Sequence, residues 1–264
     1  MSGFYIGVDG KARKVKGGYV GLDGVARKIK KGYIGVDGVA RLCYSDVTFD
    51  PVFANNTWED VIVACQNNAV PDTWSVGDRK KMNIGGTDYV VDIIGKNHDD
   101  YSDGKGKAPL TFQLGGCLSN TYNMNRTNTN AGGWDTCYMR TTTLKTILST
   151  MPDVVKNNIR DVKKPTSQGN KLSNIIYSND KLFLLSEKEV TGTSNTSMPN
   201  EGNIYEFYSN GGSKIKSING VARYWFLRSP NKSTSEHFLT IDYEGNVDNS
   251  YASNGFGVSF AFCF

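Results

Sequence analysis

The sequence predicts an α+β protein in which a small all-β repeat precedes a larger mixed domain. Three observations lead to this prediction. The first 44 residues repeat with a period of 14, and 29 glycines against 7 prolines indicate many tight turns and therefore more strand than helix. Helix-like patterns then interrupt the β-prone runs of the remainder. With 264 residues, the chain can bury a sizeable core in one large domain or two modest ones.

Composition and charge exclude several classes of protein. Hydrophobic residues are 38% of the chain, aromatic residues 11% and charged residues 21%, which excludes a disordered chain and a coiled coil. The net charge of +4 gives no support for binding to nucleic acid. No run approaches the roughly 18 apolar residues of a membrane span, so we expect no membrane insertion. The first residues lack the basic and apolar regions of a signal peptide, and none is expected.

The N-terminal repeat is anchored by one tyrosine in each copy, Tyr5, Tyr19 and Tyr33. Each copy contains an Asp-Gly pair between two short β-prone runs. Asp-Gly suits a type I′ turn because both central residues need positive φ. Residues 1–44 are therefore predicted to form three 14-residue β-hairpins. One hairpin cannot bury its own apolar face, so the hairpins are expected to stack on each other or on another chain.

Nine basic residues lie in the repeat between Lys11 and Arg41. They could form a surface for nucleic acid, or they could keep solvated strand edges from aggregating, and we favour the second interpretation. The tandem hairpins resemble short repeats near the start of phage tail and tail-associated proteins. That resemblance implies an attachment or oligomerisation segment, with a homotrimer formed through residues 1–44.

After a turn-rich linker over 45–56, the larger domain is predicted over 57–264. Thr57 is a suitable N-cap, and apolar residues at helical spacing predict a helix from Trp58 to about Asn68. Further helical stretches are predicted over 142–159, with a break at Met151-Pro152, and over 202–208. We predict a long ordered surface loop over 119–134 and a polar connection over 163–174. Strands are predicted at 81–84, 89–94, 110–114, 181–185, 224–228, 238–243 and 257–264.

Cysteines and histidines give little support for catalysis or metal binding. The five cysteines (Cys43, Cys65, Cys117, Cys137 and Cys263) contain no CxxC pair, and only two histidines are present. We therefore predict free buried thiols, no metal site and no cofactor. A calcium loop starting at Asp99 would place Leu110 at the twelfth ligand position, so an Asp- and Gly-rich turn is favoured there. No Gly-x-Ser-x-Gly elbow or phosphate loop is present, and no catalytic residue is predicted.

The most informative segment runs from Tyr224 to Phe264. Two apolar stretches enclose small polar and aromatic residues, a mixture similar to an antibody paratope; ordinary polar loops are the alternative. We predict an exposed, contiguous ligand-binding face. Trp225 and Arg228 would lie beneath this face and support it. Tyr243, Tyr251 and Phe256 would be its energetic anchors. The predicted face comprises Asn231, Ser233, Ser235, His237, Tyr243, Glu244, Asn246, Asp248, Asn249, Tyr251, Ser253, Asn254 and Phe256.

Two motifs in this segment carry a resemblance to a known family. Trp-x-Leu-Arg-Ser-Pro over 225–230, followed by Gly-Val-Ser-Phe-x-Phe-Cys over 257–263, resembles the end of a domain family of bacteria and their phages. The helix with Trp58 and the stretches 94–101 and 182–187 extend the resemblance over about 57–264. That family resembles the formylglycine-generating-enzyme branch of the C-type lectin fold. Variable proteins of diversity-generating retroelements use the same branch, and their C-terminal ends are hypermutated at adenines.

The resemblance implies a C-type-lectin-like domain and a ligand- or receptor-binding protein of phage or prophage origin. Its partner would be a protein or glycan receptor on a cell surface, and its location a phage tail or the bacterial cytoplasm before assembly. Two alternatives remain open: an oxidase of the formylglycine-generating branch, and a structural tail or surface component without its own ligand. The oxidase needs a reactive cysteine pair that binds copper, and no local motif places two of Cys117, Cys137 and Cys263 together. Calcium-dependent sugar binding is not expected, because Met198-Pro199-Asn200 lacks the loop carboxylate.

Overall fold

The structure, a computed structural model, describes residues 48–264 throughout and, before them, the segments 5–8, 11–14, 18–22, 24–29, 31–36 and 39–45. The chain divides into two compact units, Met1–Asp50 and Pro51–Phe264. With 18% of the residues in helices and 33% in strands, the protein has the α+β class that its sequence predicts. Among the described residues, no helix is long and apolar enough to cross a bilayer.

Among its described residues, the first unit contains three two-stranded antiparallel sheets, one for each copy of the repeat. In the second hairpin Leu22 pairs with Val25, so the turn falls between them, and Gly24 has a φ of +77°. Asp23 and the Asp-Gly pairs of the other copies lie outside the described residues. The strands are Tyr5–Val8 (β1), Lys11–Lys14 (β2), Gly18–Leu22 (β3), Val25–Ile29 (β4), Lys31–Val36 (β5) and Val39–Ser45 (β6).

The second unit begins with a 3₁₀ turn, Phe53–Asn55, and alternates short helices with short strands. The helices are Trp58–Gln66 (α1), Gly133–Thr136 (α2), Leu144–Ser149 (α3), Asp153–Lys156 (α4), Glu187–Thr191 (α5) and Glu206–Ser209 (α6), with a π-helix at Met139–Thr143. The strands are Arg79–Ile84 (β7), Thr87–Lys96 (β8), Leu110–Leu114 (β9), Val162–Ser167 (β10), Ile175–Asp180 (β11), Leu182–Phe183 (β12), Lys216–Ile218 (β13), Val221–Arg223 (β14), Trp225–Pro230 (β15), His237–Ile241 (β16), Val247–Tyr251 (β17) and Ala261–Cys263 (β18).

A five-stranded sheet in the order β12-β18-β9-β8-β7 forms the centre of this unit. The last strand, β18, is shorter than the strand predicted at 257–264 and lies between β12 and β9, where Phe262 pairs with Phe112 of β9. The two rings stack with centroids 5.3 Å apart, and the Trp58 ring of α1 lies 5.7 Å from Phe112. Aromatic pairs at this separation add to the burial that ties α1 to the sheet.

Helix α1 starts where its sequence predicts. The Thr57 hydroxyl accepts a hydrogen bond from the Asp60 backbone N–H at 3.1 Å, and the Asp60 carboxylate accepts one from the Thr57 N–H at 3.0 Å. This reciprocal capping box satisfies two backbone donors that the first turn leaves without partners. The helical stretch predicted over 142–159 is also present, broken at Met151-Pro152 as expected, although it begins earlier, with the π-helix.

The prediction of a polar connection over 163–174 is wrong for the first half of that range. Residues 162–167 form β10, which pairs with β11 in an antiparallel hairpin. The buried positions of β10 include Lys164, which donates to Asp99, and Thr166, whose hydroxyl donates to Glu201. A strand that buries a lysine does not show the apolar alternation by which strands are recognised in sequences.

Candidate functional site

The predicted binding face lies on a three-stranded antiparallel sheet in the order β15-β16-β17. The middle strand β16 supplies the buried scaffold positions Phe238, Leu239 and Ile241, all with no exposed surface. Strand β17 is the edge of this sheet, and each of its side chains is at least partly exposed. A buried strand therefore supports an edge strand whose side chains meet solvent.

The structure places most of the predicted face at the surface. The anchors Tyr243 and Tyr251 keep 53% and 44% of their area exposed. Also exposed are Ser233, Glu244, Asn246, Asp248 and Asn254; Ser235, His237, Asn249, Ser253 and Phe256 are half-buried.

The prediction that the Asn231 side chain is exposed is wrong, because only 6% of its area is exposed. Its side-chain oxygen accepts a hydrogen bond from the Ser233 N–H at 2.8 Å, and its own N–H donates to the His237 carbonyl at 3.0 Å. Asn231 therefore holds the turn between β15 and β16 and does not offer its side chain to a ligand.

The prediction of a single contiguous face is not met at the β16–β17 hairpin. His237 pairs with Tyr251, and Leu239 with Asn249, so the side chains of these pairs point to one face of the sheet. Asp248, the neighbour of Asn249, points to the other face. Side chains alternate between the two faces of a sheet along each strand, and both faces of the edge strand β17 meet solvent. The predicted residues are therefore divided between the two faces.

On the first face, the His237 ring stands edge-on to Tyr251 with centroids 4.4 Å apart, and its Nδ1 is hydrogen-bonded to the Asn249 side-chain oxygen. On the second, Tyr224 contacts both Tyr243 and Phe256, at centroid distances of 5.7 and 5.5 Å. Burial and the nearby Asp248 carboxylate raise the pKa of Tyr224. Each face thus has an aromatic residue beside adaptable polar groups.

Residues 119–134 border the predicted face. They were predicted only to form an ordered surface loop. Tyr122 and Phe256 exchange backbone hydrogen bonds at 2.9 and 3.0 Å, and the Asn125 N–H donates to the Ala252 carbonyl at 2.8 Å. The fully buried Asn130 side chain donates to the Thr234 and His237 carbonyls at 3.0 and 2.9 Å. This loop is rich in Asn and Thr, and 231–254 is rich in Asn and Ser, so a shared abundance of small polar residues is the only signal in the sequence that links the two segments.

Trp225 and Arg228, which were predicted to lie beneath the face, are fully buried in β15. The Trp225 indole N–H donates to the Lys214 carbonyl at 2.9 Å. The Arg228 guanidinium forms a bidentate pair with Glu189, in which Nη2 lies 2.9 Å from Oε1. It also donates to the carbonyls of Leu184, Pro165 and Glu201 at 3.0, 3.1 and 2.8 Å. Arg228 therefore joins several chain segments beneath the sheet.

Arg228 belongs to a buried charge network that also contains Glu189, Lys164 and Asp99. The Lys164 ammonium lies 2.7 Å from a carboxylate oxygen of Asp99 and 2.7 Å from one of Glu189. Burial opposes ionisation of Asp99, but the adjacent Lys164 outweighs it and lowers the Asp99 pKa to about 2. Burial likewise opposes ionisation of Glu189, and Arg228 and Lys164 outweigh it and lower the Glu189 pKa. The two negative charges of Asp99 and Glu189 thus lie against the two positive charges of Lys164 and Arg228 inside the protein.

The described cysteines Cys65, Cys117, Cys137 and Cys263 are free and buried. Burial raises the pKa of the first three thiols to about 12, and that of Cys263 well above its usual value. A thiol needs its thiolate form to act as a nucleophile or metal ligand. Within the described residues, no group of three or more His, Cys, Asp or Glu side chains is placed to hold a metal ion.

Comparison with known proteins identifies a family but no activity. Residues 106–264 match the family described as a domain of unknown function (DUF6273). The matched segment includes every residue of the predicted face, the 119–134 loop and three members of the charge network. No curated protein and no solved structure matches the chain.

Proposed function

Since the chain belongs to the DUF6273 family, a domain of unknown function, we propose from its own residues that it is a ligand-binding protein. In this proposal the ligand is a receptor on a cell surface. It docks on a surface around the exposed edge strand β17, so that both faces of the β16–β17 hairpin contribute contacts, together with the turns at the two ends of the hairpin and the adjoining 119–134 loop. We call this surface the C-terminal face.

The exposure of Tyr243 and Tyr251 is the observation that carries the proposal. Both rings stand at the surface of a hairpin whose inner strand is buried from Phe238 to Ile241, and both contact a neighbouring aromatic ring. Tyrosine loses little conformational entropy on binding and offers a large amphipathic contact area. Side chains held in place before binding improve affinity because less order is lost on association.

We further propose that the second unit has the C-type-lectin-like fold and that 231–256 is diversified, as in variable proteins of diversity-generating retroelements. The separation of scaffold from surface supports this: Phe238, Leu239 and Ile241 are buried, whereas the predicted contact residues other than Asn231 are not. A diversified segment needs this separation because buried polar groups without partners cost about 1–3 kcal/mol each. A neighbouring reverse transcriptase gene, beside a near-copy of the 3′ end that differs at adenines, would support diversification. A neighbourhood lacking both would contradict it.

The two alternative functions have weaker support. The oxidase needs two reactive thiols, and burial keeps each described thiol protonated at neutral pH. A structural component without its own ligand would not need exposed tyrosines on a supported edge strand, although single exposed aromatic residues do occur on protein surfaces.

The experiment compares the binding of fluorescently labelled full-length protein to intact cells of a panel of bacterial strains. The test variant is Tyr243→Ala with Tyr251→Ala. The matched control is Tyr177→Ala, which removes a tyrosine that is 68% exposed on β11, outside the C-terminal face. We expect the parent and the control to bind at least one strain and the double variant to lose at least ten-fold in affinity. Failure of the parent to bind any strain, or equal binding by all three proteins, would contradict the proposal.

A further inference from the structure

A pocket of about 480 Å³ lies between the β7–β8 turn, the start of the 119–134 loop and helix α3. Its volume falls in the range of small-molecule sites. The Gly85 N–H of the β7–β8 turn donates to the Thr150 carbonyl at 3.0 Å, which joins the turn to the end of α3. The pocket thus has walls from three chain segments that are far apart in the sequence.

Its lining carries no charge. The fifteen lining residues, all in the described part of the chain, include no Asp, Glu, Lys, Arg or His, although 21% of the whole chain is charged. They include three tyrosines, five threonines, two asparagines and a serine. Hydroxyl and amide groups can both donate and accept hydrogen bonds. This lining suits a ligand that carries many neutral polar groups.

The tyrosine rings of the pocket are held in position by their neighbours. The Tyr89 hydroxyl lies 2.8 Å from the Ser119 hydroxyl. The Arg126 guanidinium lies over the Tyr138 ring, 4.4 Å from its centroid, and donates to its hydroxyl at 2.9 Å. The Tyr122 backbone pairs with that of Phe256, which fixes the point where the Tyr122 side chain leaves the loop. All three side chains are half-buried, so part of each remains accessible.

A second, independent feature is the π-helix Met139–Thr143, which brings Thr142 and Thr143 into the pocket wall. π-helical turns are rare, and they occur often at functional sites because the widened turn displaces side chains from their α-helical positions. Here the π-helix directly precedes α3, which adds Thr146 to the same wall.

We propose that this pocket binds a neutral saccharide. A sugar ring has C–H faces that pack on aromatic rings and a rim of hydroxyls that both donate and accept. Three positioned tyrosines and a wall of threonines and asparagines match both properties. An acidic saccharide would find no charged side chain in the lining, and Arg126, the cation beside it, already donates to the Tyr138 hydroxyl, so the pocket disfavours an acidic saccharide. No lining residue offers a carboxylate, so binding requires no Ca²⁺.

A different pocket of about 320 Å³ provides a contrast within the same unit. Its lining includes Lys107, Lys163 and Lys188 together with Asp100 and His98. That charged lining suits ionic ligands, so an acidic saccharide distinguishes the two pockets. The neutral pocket shares the start of the 119–134 loop with the C-terminal face, but neither of the tyrosine anchors of that face, Tyr243 and Tyr251, lines it. The two proposals can therefore fail separately.

The test measures binding of maltotriose, cellotriose, mannotriose, chitotriose and trigalacturonic acid to the full chain by saturation-transfer NMR and titration. We expect at least one neutral trisaccharide to bind more tightly than trigalacturonic acid, and Tyr138→Ala to weaken that binding at least ten-fold. Thr142→Val keeps the shape of an exposed side chain and removes only its hydroxyl, so it should weaken binding without affecting the fold. The Tyr243→Ala/Tyr251→Ala variant should bind the saccharide as the parent does.

Four results would overturn this proposal. The first three are the absence of binding by all four neutral saccharides, binding of trigalacturonic acid that is as tight as theirs, and saccharide affinity that neither Tyr138→Ala nor Thr142→Val changes. The fourth is loss of saccharide binding in the Tyr243→Ala/Tyr251→Ala variant, which would place the sugar at the two tyrosine anchors of the C-terminal face. A failure here leaves the cell-binding test of the C-terminal face unaffected, since that test uses different variants and a different readout.

Discussion

The C-terminal face and the charge network beneath it are both polar, but they satisfy their polar atoms differently. On the face, side chains such as Tyr243, Asn246 and Asn254 reach solvent. In the network, Asp99, Lys164, Glu189 and Arg228 are almost wholly buried, and each charge lies against an opposite one. Water can replace any contact that the face loses, whereas nothing can replace a lost partner in the network.

This difference indicates where the chain can vary. Surface substitutions away from special features usually change stability by less than about 0.5 kcal/mol, whereas removing one partner of a buried ion pair costs about 3–5 kcal/mol. A binding surface supported in this way can change its contacts while the fold is retained. Four predictions test the comparison, starting with the largest expected effect.

Glu189→Gln should give the largest loss of stability. The amide keeps the size of the side chain but leaves Arg228 and Lys164 facing each other without the carboxylate that separates their charges. We expect the free energy of unfolding in urea to fall by about 3–5 kcal/mol. Glu206→Gln, at an exposed position on α6, is the control and should change it by less than about 0.5 kcal/mol. Equal effects of the two substitutions would remove the distinction between network and surface.

Lys216→Met should stabilise the protein, because Lys216 is a buried cation outside the charge network. Its ammonium donates to the Leu114 carbonyl at 2.8 Å, and burial lowers its pKa to about 8. The folded state therefore releases this proton at lower pH than the unfolded state does, so stability rises with pH from about 8 toward 10.5. The described thiols oppose this rise above about pH 9, because their pKa values are raised on folding.

We expect Lys216→Met to raise the free energy of unfolding at pH 7 by about 2–3 kcal/mol. The substitution should also remove most of the increase in unfolding free energy that the parent shows between about pH 7 and 9. Urea unfolding at a series of pH values measures both effects. Lys214→Met, at a half-buried position two residues earlier, is the control. A loss of stability in Lys216→Met at pH 7 would mean that the buried ammonium contributes more through its hydrogen bond than its desolvation costs.

Acid should weaken the network before it affects the face. The pKa of Asp99 is about 2 and that of Glu189 is lowered, so the unfolded state binds more protons as the pH falls below about 5. Stability is then lost between about pH 5 and 2, and Asp99 alone contributes on the order of 2 kcal/mol. Asp99→Asn should flatten the dependence of the unfolding free energy on pH in this window. Asp72→Asn, at an exposed position, should leave the dependence unchanged.

The smallest stability effect is expected on the face itself. Tyr243→Ala and Tyr251→Ala each lose one edge-on aromatic contact, so each should cost at most about 1 kcal/mol. Phe238→Ala, on the buried strand of the same hairpin, should cost about 3–5 kcal/mol. Thermal unfolding of the three variants checks this order. If either tyrosine variant is as unstable as Phe238→Ala, the tyrosines belong to the scaffold.

Local signals in the sequence were sufficient for several elements. Thr57 before an amphipathic run predicts the start of α1, and Pro152 predicts the break between α3 and α4. A strand was also predicted at 238–243, and the structure has β16 there, with Phe238, Leu239 and Ile241 buried. These features depend on residues within one or two turns of each other, and such interactions are visible in a linear sequence.

Features that depend on distant partners could not be predicted. Lys164 is buried in β10 because Asp99, 65 residues earlier, neutralises it. Asn231 is buried because it holds a turn that Asn130, 101 residues earlier, supports from the 119–134 loop. Read alone, each residue has the polarity of a surface position. Only the folded chain shows that a partner removes the cost of burying it.

The most direct test of the central claim, that a variable binding face rests on an invariant scaffold, is the protease resistance of a displayed library. The library consists of full-length chains in which the exposed face positions Ser233, Tyr243, Glu244, Asn246, Asp248, Tyr251 and Asn254 are randomised together. A second library randomises the buried positions Asn231, Phe238, Leu239 and Ile241. We predict that most members of the first library stay folded, with a combined loss of unfolding free energy of no more than about 3 kcal/mol, and that most members of the second are unfolded. Equal protease sensitivity of the two libraries would contradict the account.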